Sequence, residues 1–252
     1  MDDYLTRIGA ARPAAADLAA LRTLQRAHLG TVPFENLSIG LGEPVRLDDE
    51  GLLDKIVTRR RGGFCYEVNG AFALLLRALG YEVTMHSART WNGERFGFPF
   101  DHLALRVVLD GVPWLVDVGY GRFAHHPLRL DTTEAQQDPG GQYSVVPHGD
   151  ELDIMGPGGP EYRFDTRDYA MSDFAPTCWY QQTSPDSFFT TRLTCSRLTE
   201  DGGRITLAGD RLIRTTAEGR DERPLTEAEA MESYRTDFGI TLSRPPAPRF
   251  PA

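Results

Sequence analysis

Over the first 80 residues the apolar positions recur at helical spacing. Leu5 and Ile8 share one side of a short segment from Asp2 to Ile8. Leu18, Leu21, Leu24 and Leu29 follow Asp17, an N-cap residue type, and Gly30 offers a stop. Asp48 and Asp49 open a third segment with Leu52, Leu53, Ile56 and Val57 on one face. A fourth starts at Phe64 or Cys65. Its stripe runs through Val68, Ala71, Phe72, Leu75, Leu76 and Leu79, and Gly80 closes it. From Tyr81 the period changes to two. Residues 83–89 predict a strand. Leu103 to Leu109 and Val112 to Val118, joined by Asp110-Gly111, predict a β-hairpin with a tight turn. Further strands are expected at 142–146, 151–155, 161–165, 187–195, 204–208 and 211–216, with a last helix over Thr226 to Asp237. The run Arg244 to Pro248 cannot extend that helix. No repeat interrupts this order, and the Gly/Pro-rich 156–160 reads as a loop.

The hairpin places two chemically useful residues together. With Asp110-Gly111 as a two-residue turn, Asp117 lies opposite Ala104, and His102 is two positions from Ala104 on the same face. His102 and Asp117 are then diagonal neighbours, roughly 7–8 Å apart at the backbone and within side-chain reach. A three-residue loop would turn Asp117 away; the Asp-Gly pair favours the first register. Leu103, Leu105 and Val107 make the other face apolar. Cys65 supplies the third group. It follows Gly62-Gly63-Phe64 and opens a helix, where the dipole and free N–H groups favour a thiolate. A histidine oriented by a carboxylate can take the thiol proton, giving a Cys–His–Asp relay.

Composition narrows the setting. The 252 residues suffice for one large domain or two to three small lobes. Hydrophobic content of 40% and charged content of 25% are those of an ordinary globular chain. With a net charge of -9 and no basic run, neither nucleic acid nor an anionic membrane is an expected partner. The longest apolar stretch is far short of the roughly 18–20 residues of a span. Met1-Asp2-Asp3-Tyr4 has none of the features of a signal peptide. Cys65, Cys178 and Cys195 suggest no disulfide framework, so a reducing cytoplasm is expected.

Bland alternatives exist for each residue. A lone cysteine is usually a small buried hydrophobe, and Cys178 and Cys195 are read that way. A lone strand histidine is usually structural. Asp117 before Val-Gly-Tyr-Gly can simply end a strand. His125 and His126 are adjacent and point apart on a strand, and no metal-ligand spacing or phosphate loop is present. The Gly-Gly-Phe-Cys start is what sets Cys65 apart.

The motifs, taken in order, resemble the arylamine N-acetyltransferase family, which includes macrolactam-forming amide synthases. Val32-Pro33-Phe34-Glu35-Asn36-Leu37 is similar to its early motif. Arg59-Arg60-Arg61-Gly62-Gly63-Phe64-Cys65 with Glu67-Val68-Asn69 is similar to its nucleophile motif. Asp101-His102-Leu103-Ala104-Leu105 and Trp114 to Gly121 resemble the histidine and aspartate motifs. Thr183 to Phe189 and Phe238-Gly239-Ile240 also fit.

The resemblance implies an α+β fold with a cysteine-protease-like Cys-His-Asp arrangement. It implies a helical bundle over 1–80 carrying Cys65, an antiparallel β-barrel over 81–195 carrying His102 and Asp117, and a C-terminal α/β lid over 196–252. Cys65 would take an acetyl group from acetyl-CoA as a thioester, and an arylamine, arylhydroxylamine or hydrazine would then attack, with ping-pong kinetics. Acetyl-CoA would be a co-substrate, with no permanently bound cofactor and no metal. Phe34, Thr90 and Tyr120 match positions lining the family's acceptor pocket. Two features depart from the family. The chain is short, with the shortening expected in the C-terminal third that helps bind CoA. Asp101 stands where many members carry a small hydroxyl residue, and is expected either to raise the pKa of His102 or to point into solvent. The runner-up reading is an amide synthase loaded from an acyl carrier protein. A Cys–His–Asp hydrolase and a non-catalytic binding module are the rivals from other classes.

Overall fold

Asp17 accepts a hydrogen bond from the Ala20 N–H at 2.8 Å and starts α2 (Leu18–Thr31), as its place before the apolar stripe predicts. The computed structural model describes residues 1–251. Ahead of α2 lies α1 (Asp2–Ile8), closed by Gly9 at a φ of 67°. After it come α3 (Leu37–Leu41) and α4 (Asp49–Leu53), the latter capped by Asp48. The third predicted helix continues from α4 only as a π-type turn over Asp54–Thr58. Leu52 and Ile56 are fully buried there, whereas Leu53 and Val57 lie at the margin. The fourth, α5 (Cys65–Ala78), is the axis of the helical core. Its Val68, Phe72, Leu75 and Leu76 are all inaccessible to solvent.

The strand segments between 82 and 165 form one antiparallel sheet that curls into a nearly closed barrel. Its strands are β2 (Glu82–Thr90), β3 (His102–Leu109), β4 (Val112–Val116), β5 (Leu128–Arg129), β6 (Gln136–Asp138), β7 (Gly141–His148), β8 (Glu151–Gly156) and β9 (Gly159–Asp165). The order is β5-β4-β3-β2-β9-β8-β7-β6. Asp110 and Gly111 both have positive φ, 51° and 78°, which suits a two-residue hairpin turn. Leu109 pairs with Val112 and Leu105 with Val116, the register expected from the sequence. Alternation divides β3 as predicted: Leu103, Leu105 and Val107 join the helical core, and Ala104 joins the barrel core of Tyr143, Ile154 and Tyr162.

The strand expected over 187–195 is a correction. Ser187 accepts a hydrogen bond from the Phe189 N–H at 3.1 Å and caps a single helical turn, α7 (Phe188–Thr191). The strand, β10 (Thr194–Leu198), begins only afterwards. A helix with no sequence expectation, α6 (Ala175–Thr183), precedes that turn. β10 opens a second sheet with β11 (Arg204–Ala208), β12 (Arg211–Thr215) and β13 (Arg220–Pro224), against which α8 (Glu227–Thr236) packs. Its outer neighbour is β1 (Phe34–Glu35), from near the N-terminus: Phe34 pairs with Ser196 and Glu35 with Cys195. This long-range pairing ties the two ends of the chain together beside Cys65.

Candidate active site

Two sequence motifs meet at the start of α5. The Glu35 N–H donates to the Gly63 carbonyl at 2.9 Å, so the segment after Pro33 runs alongside Gly62-Gly63. A Cβ on Gly62 would stand 1.9 Å from the Pro33 carbonyl oxygen, so only glycine permits this approach. Arg61, buried, pairs with Glu35 at 2.9 Å and with Glu43 at 3.3 Å. Lys55 pairs with Glu67 at 2.7 Å, and Glu67 also accepts from the Phe64 N–H at 3.2 Å. Burial pushes the Glu67 carboxyl up against the pull of Lys55. Burial acts the same way on Glu35, yet Lys55 and Arg61 outweigh it and hold Glu35 below its ordinary value. These buried charges fix the turn that presents Cys65.

His102 opens β3, and Asp117 lies one residue past the end of β4, which stops at Val116 rather than at the expected Val118. His102 Nε2 lies 2.7 Å from Asp117 Oδ2. Asp117 also accepts from Asn69 Nδ2 at 2.9 Å, the Gly119 N–H at 2.8 Å and the Tyr162 hydroxyl at 3.1 Å. With Nε2 bound to the carboxylate, Nδ1 is the nitrogen left for the thiol. Burial alone would lower the His102 pKa. The Asp117 carboxylate and the adjacent Cys65 side chain override it, and the ring is pushed up to about 10. An imidazolium is the state His102 reaches on taking the cysteine proton, and this setting stabilises it.

Asn69 is a functional residue that the sequence reading did not single out. It donates to Asp117 and to the Leu103 carbonyl, at 2.7 Å, while its Oδ1 accepts from the Val118 N–H at 2.9 Å. Its signal was available: it lies one helical turn after Cys65, on the same face of α5. Tyr162 left no such signal, because its approach depends on β9 pairing with β2 from 70 residues away, where Thr90 lies opposite Tyr162.

Cys65 and His102 open into a cavity of about 300 Å³. Phe34, Thr90 and Tyr120 line it, as do Phe98, Tyr180 and Phe188, which the sequence reading did not single out. Tyr120 packs edge-on to the His102 ring and donates its hydroxyl to the Glu161 carbonyl at 2.7 Å. Asp101 also lines the cavity, half-buried. Its carboxyl accepts from the Thr90 N–H and hydroxyl, each at 3.0 Å, and the expected charge coupling to His102 is present, favouring its ionised form. Burial pushes it up to about 6 despite those bonds. Cys178 and Cys195 are buried, and burial pushes both thiols up. His125 and His126 both hand their backbone N–H groups to Asp138. No metal-binding cluster is formed among the described residues.

A nucleophile, a base oriented by a carboxylate, and a partly apolar cavity beside them suit acyl transfer through a covalent intermediate. Comparison with known proteins points the same way. The N-acetyltransferase family model matches residues 17–247. The arylamine N-acetyltransferase of Mycolicibacterium smegmatis is 36% identical over 251 residues, covering 95% of this chain and 91% of that protein. That of Escherichia coli strain K12 is 33% identical, covering 82% of this chain and 76% of its own. The solved M. smegmatis arylamine N-acetyltransferase superposes with a TM-score of 0.89 at 35% identity over 95% of this chain. The Mycobacterium marinum enzyme in complex with CoA gives 0.88 at 33%. The first two matches take in 91% and 76% of those proteins, and β10 to β13 with α8 lie in the C-terminal third of this chain.

Proposed function

The chain belongs to the arylamine N-acetyltransferase family, and on that premise we propose that it transfers an acetyl group from acetyl-CoA to an aromatic amine through a Cys65 thioester. The observation that carries this is the chain of contacts at the cavity: Cys65 and His102 line it side by side, and His102 is held by Asp117. His102 takes the thiol proton, and Cys65 sulfur attacks the thioester carbonyl. The tetrahedral intermediate collapses, and the CoA thiolate leaves with the proton from the imidazolium. An amine then attacks acetyl-Cys65, His102 accepts the amine proton, and the cysteine thiolate leaves. Asp117 keeps the ring oriented throughout. Phe34, Thr90 and Tyr120 hold the acceptor ring in the cavity, where aromatic walls suit an aryl group.

The relative from Salmonella typhimurium is named for N-hydroxyarylamine O-acetylation as well as arylamine N-acetylation, which supports arylhydroxylamines as acceptors alongside arylamines and hydrazines. Nothing in the cavity or in these relatives favours the amide-synthase reading or a carrier-protein donor. The three unpaired cysteines support a reducing, cytoplasmic setting. No helix among the described residues is long and apolar enough to cross a membrane.

Intact mass after incubation with acetyl-CoA and no acceptor tests the proposal. One acetyl group is expected on the wild type, mapped to Cys65, and none on Cys65→Ala, which should melt as the wild type does. Addition of an arylamine should remove it. A wild-type protein that stays unacetylated overturns the reading.

A further inference from the structure

A second cavity, of about 320 Å³, lies between the barrel and the C-terminal sheet. Arg122 and Arg204 both line it. Other buried or part-buried arginines of this chain have their guanidinium satisfied, by carboxylates as Arg61 and Arg163 do or by backbone carbonyls as Arg7 and Arg77 do. Among the described residues, neither Arg122 nor Arg204 has a carboxylate within 4.0 Å. The one hydrogen bond Arg204 makes is to the Ser196 hydroxyl, at 3.0 Å, which leaves most of its donors free. Burial, then repulsion from Arg122, pulls the Arg204 guanidinium down to about 10. Two cations thus share this space, Arg122 at its exposed side and Arg204 half-buried, and neither is paired directly with a carboxylate.

The surroundings sharpen this. Arg26 stands behind the cavity wall, donating to His125 Nδ1 at 3.1 Å and the Glu200 carbonyl at 3.2 Å. Burial keeps the His125 ring neutral, near a pKa of about 4, so it accepts. Three carboxylates lie near and are otherwise engaged. Asp138 accepts from the N–H groups of His125, His126 and Gly140. Asp201, on the rim, accepts from Thr199 Oγ1 and the Gly203 N–H. Burial pushes Glu161 up to about 7 against the pull of Arg122. Phe123, Pro139, Leu198 and Ala217 add an apolar part to the wall, beside Thr215 and Thr216.

We propose that this cavity is an anion site that binds the phosphate group of a phosphate ester. Two guanidinium forks match the oxygens of a phosphate and give charge-assisted bonds. The volume exceeds what a bare oxyanion fills, and the apolar wall accommodates an organic body beside it. The segment Gly119 to Phe123 borders both cavities, since Tyr120 lines the one at Cys65 and Arg122 lines this one. A long donor could therefore lay its phosphates here while its thioester reaches Cys65. Assigning the ester to the acyl donor rests on the activity proposed above; the anion site does not. The cations are scattered at positions 26, 122 and 204, so no basic run in the sequence announces them.

Thermal shift and calorimetric titration of the wild type, Arg122→Gln and Arg204→Gln decide it. The probes are orthophosphate and adenosine 3′,5′-bisphosphate, at constant ionic strength. The expected result is saturable stabilisation of the wild type by at least one probe, weakened about tenfold or more in each variant. Should Arg204→Gln fail to fold, the exposed Arg122 still gives the answer. The KM for acetyl-CoA then separates the sources. A parallel rise identifies the donor's own phosphates, and an unmoved KM identifies a separate phosphate ligand. Acetylation of Cys65 by p-nitrophenyl acetate, a donor without phosphate, reads the cysteine independently of this site. Absence of wild-type stabilisation by either probe, or stabilisation that survives in Arg122→Gln, overturns the proposal.

Discussion

Asp117 accepts four hydrogen bonds, and the one from His102 is the one that decides chemistry. An amide in its place keeps the shape but turns an N–H toward Nε2. The ring must then carry its proton on Nδ1, where it faces the thiol and cannot accept. Asp117→Asn should lower kcat by about 10⁴-fold, the scale of losing a triad carboxylate, with far-UV circular dichroism unchanged. Retention of more than about a tenth of wild-type kcat would refute the orienting role. Asp101 makes a different prediction. Its folded pKa, about 6, lies above its ordinary value of 3.8. Ionisation therefore costs the folded state more, and the stability this group contributes is lost as pH rises through about 6. Asp101→Asn can keep both contacts to Thr90 without ionising. The melting temperature of the variant relative to the wild type should therefore climb between about pH 4 and pH 7; a difference flat with pH would sink the idea. Cys65, His102 and Asp117 were legible because a helix start and a two-residue turn are local signals. The partners of Asp117 were less so. Asn69 needed the helix face to be read as well as the hairpin, and Tyr162 depends on a strand pairing that sequence spacing does not reveal.

At the scale of elements, α5 must approach the end of β4 closely enough for Asn69 to reach Asp117. Gly119 sets that distance. A Cβ there would meet Asn69 Nδ2 at 2.7 Å and the Cys65 Cα at 2.8 Å, and backbone cannot swing aside as a side-chain tip can. Gly119→Ala should cost about 1–3 kcal/mol of stability, as overpacking does, and slow acetylation of Cys65 by a larger factor than it lowers the melting temperature would suggest. Gly30 is the control. It lies within α2 with nothing near its missing Cβ, so Gly30→Ala should stabilise by roughly 0.5–1 kcal/mol and leave the acetylation rate alone. Single-turnover acetylation alongside urea unfolding measures both. If Gly119→Ala acylates at the wild-type rate, the spacing of α5 and β4 is not what holds the site. Helices α1, α2 and α5 and strands β2 to β4 were legible because periodicity is clear in each, and at α2 the Asp17 cap agrees with it. The segment 187–195 misled because Phe188 and Phe189 suit a strand, whereas the Ser187 cap wins locally. Nothing periodic marked α6, whose buried residues, Cys178 and Gln181, are too few to form a stripe.

For the whole molecule, the order of helices and then strands made the α+β class readable, while the closure of the chain on itself was not. β1 is only two residues long, and no local pattern distinguishes it from a loop. Its meaning comes from β10, about 160 residues later, through the Phe34–Ser196 pair. Around that pair the ends of the chain are bound together. Asn36 Nδ2 donates to the Phe189 and Arg192 carbonyls at 2.9 and 2.6 Å, and its Oδ1 accepts from the Thr194 N–H at 2.8 Å. Arg197 donates to the Gly30 carbonyl at 3.0 Å, and Leu37 is buried in the core of the C-terminal sheet. The C-terminal sheet is therefore part of what positions Phe34, and through Glu35 and Arg61 part of what holds the turn before Cys65. A chain ending at Leu193 would keep every proposed catalytic residue yet leave β1 only its bridge to Gly63, without β10, and Leu37 exposed. Asn36 would also lose both its bonds to the Thr194 backbone, at about 1–3 kcal/mol each. That fragment is expected to show native-like far-UV circular dichroism at most, bind a hydrophobic dye, unfold without a sharp transition, and take no acetyl group from p-nitrophenyl acetate at Cys65. A fragment that unfolds cooperatively and acetylates at the wild-type rate would show instead that the helical core and barrel form the site by themselves, with the C-terminal sheet serving only the donor.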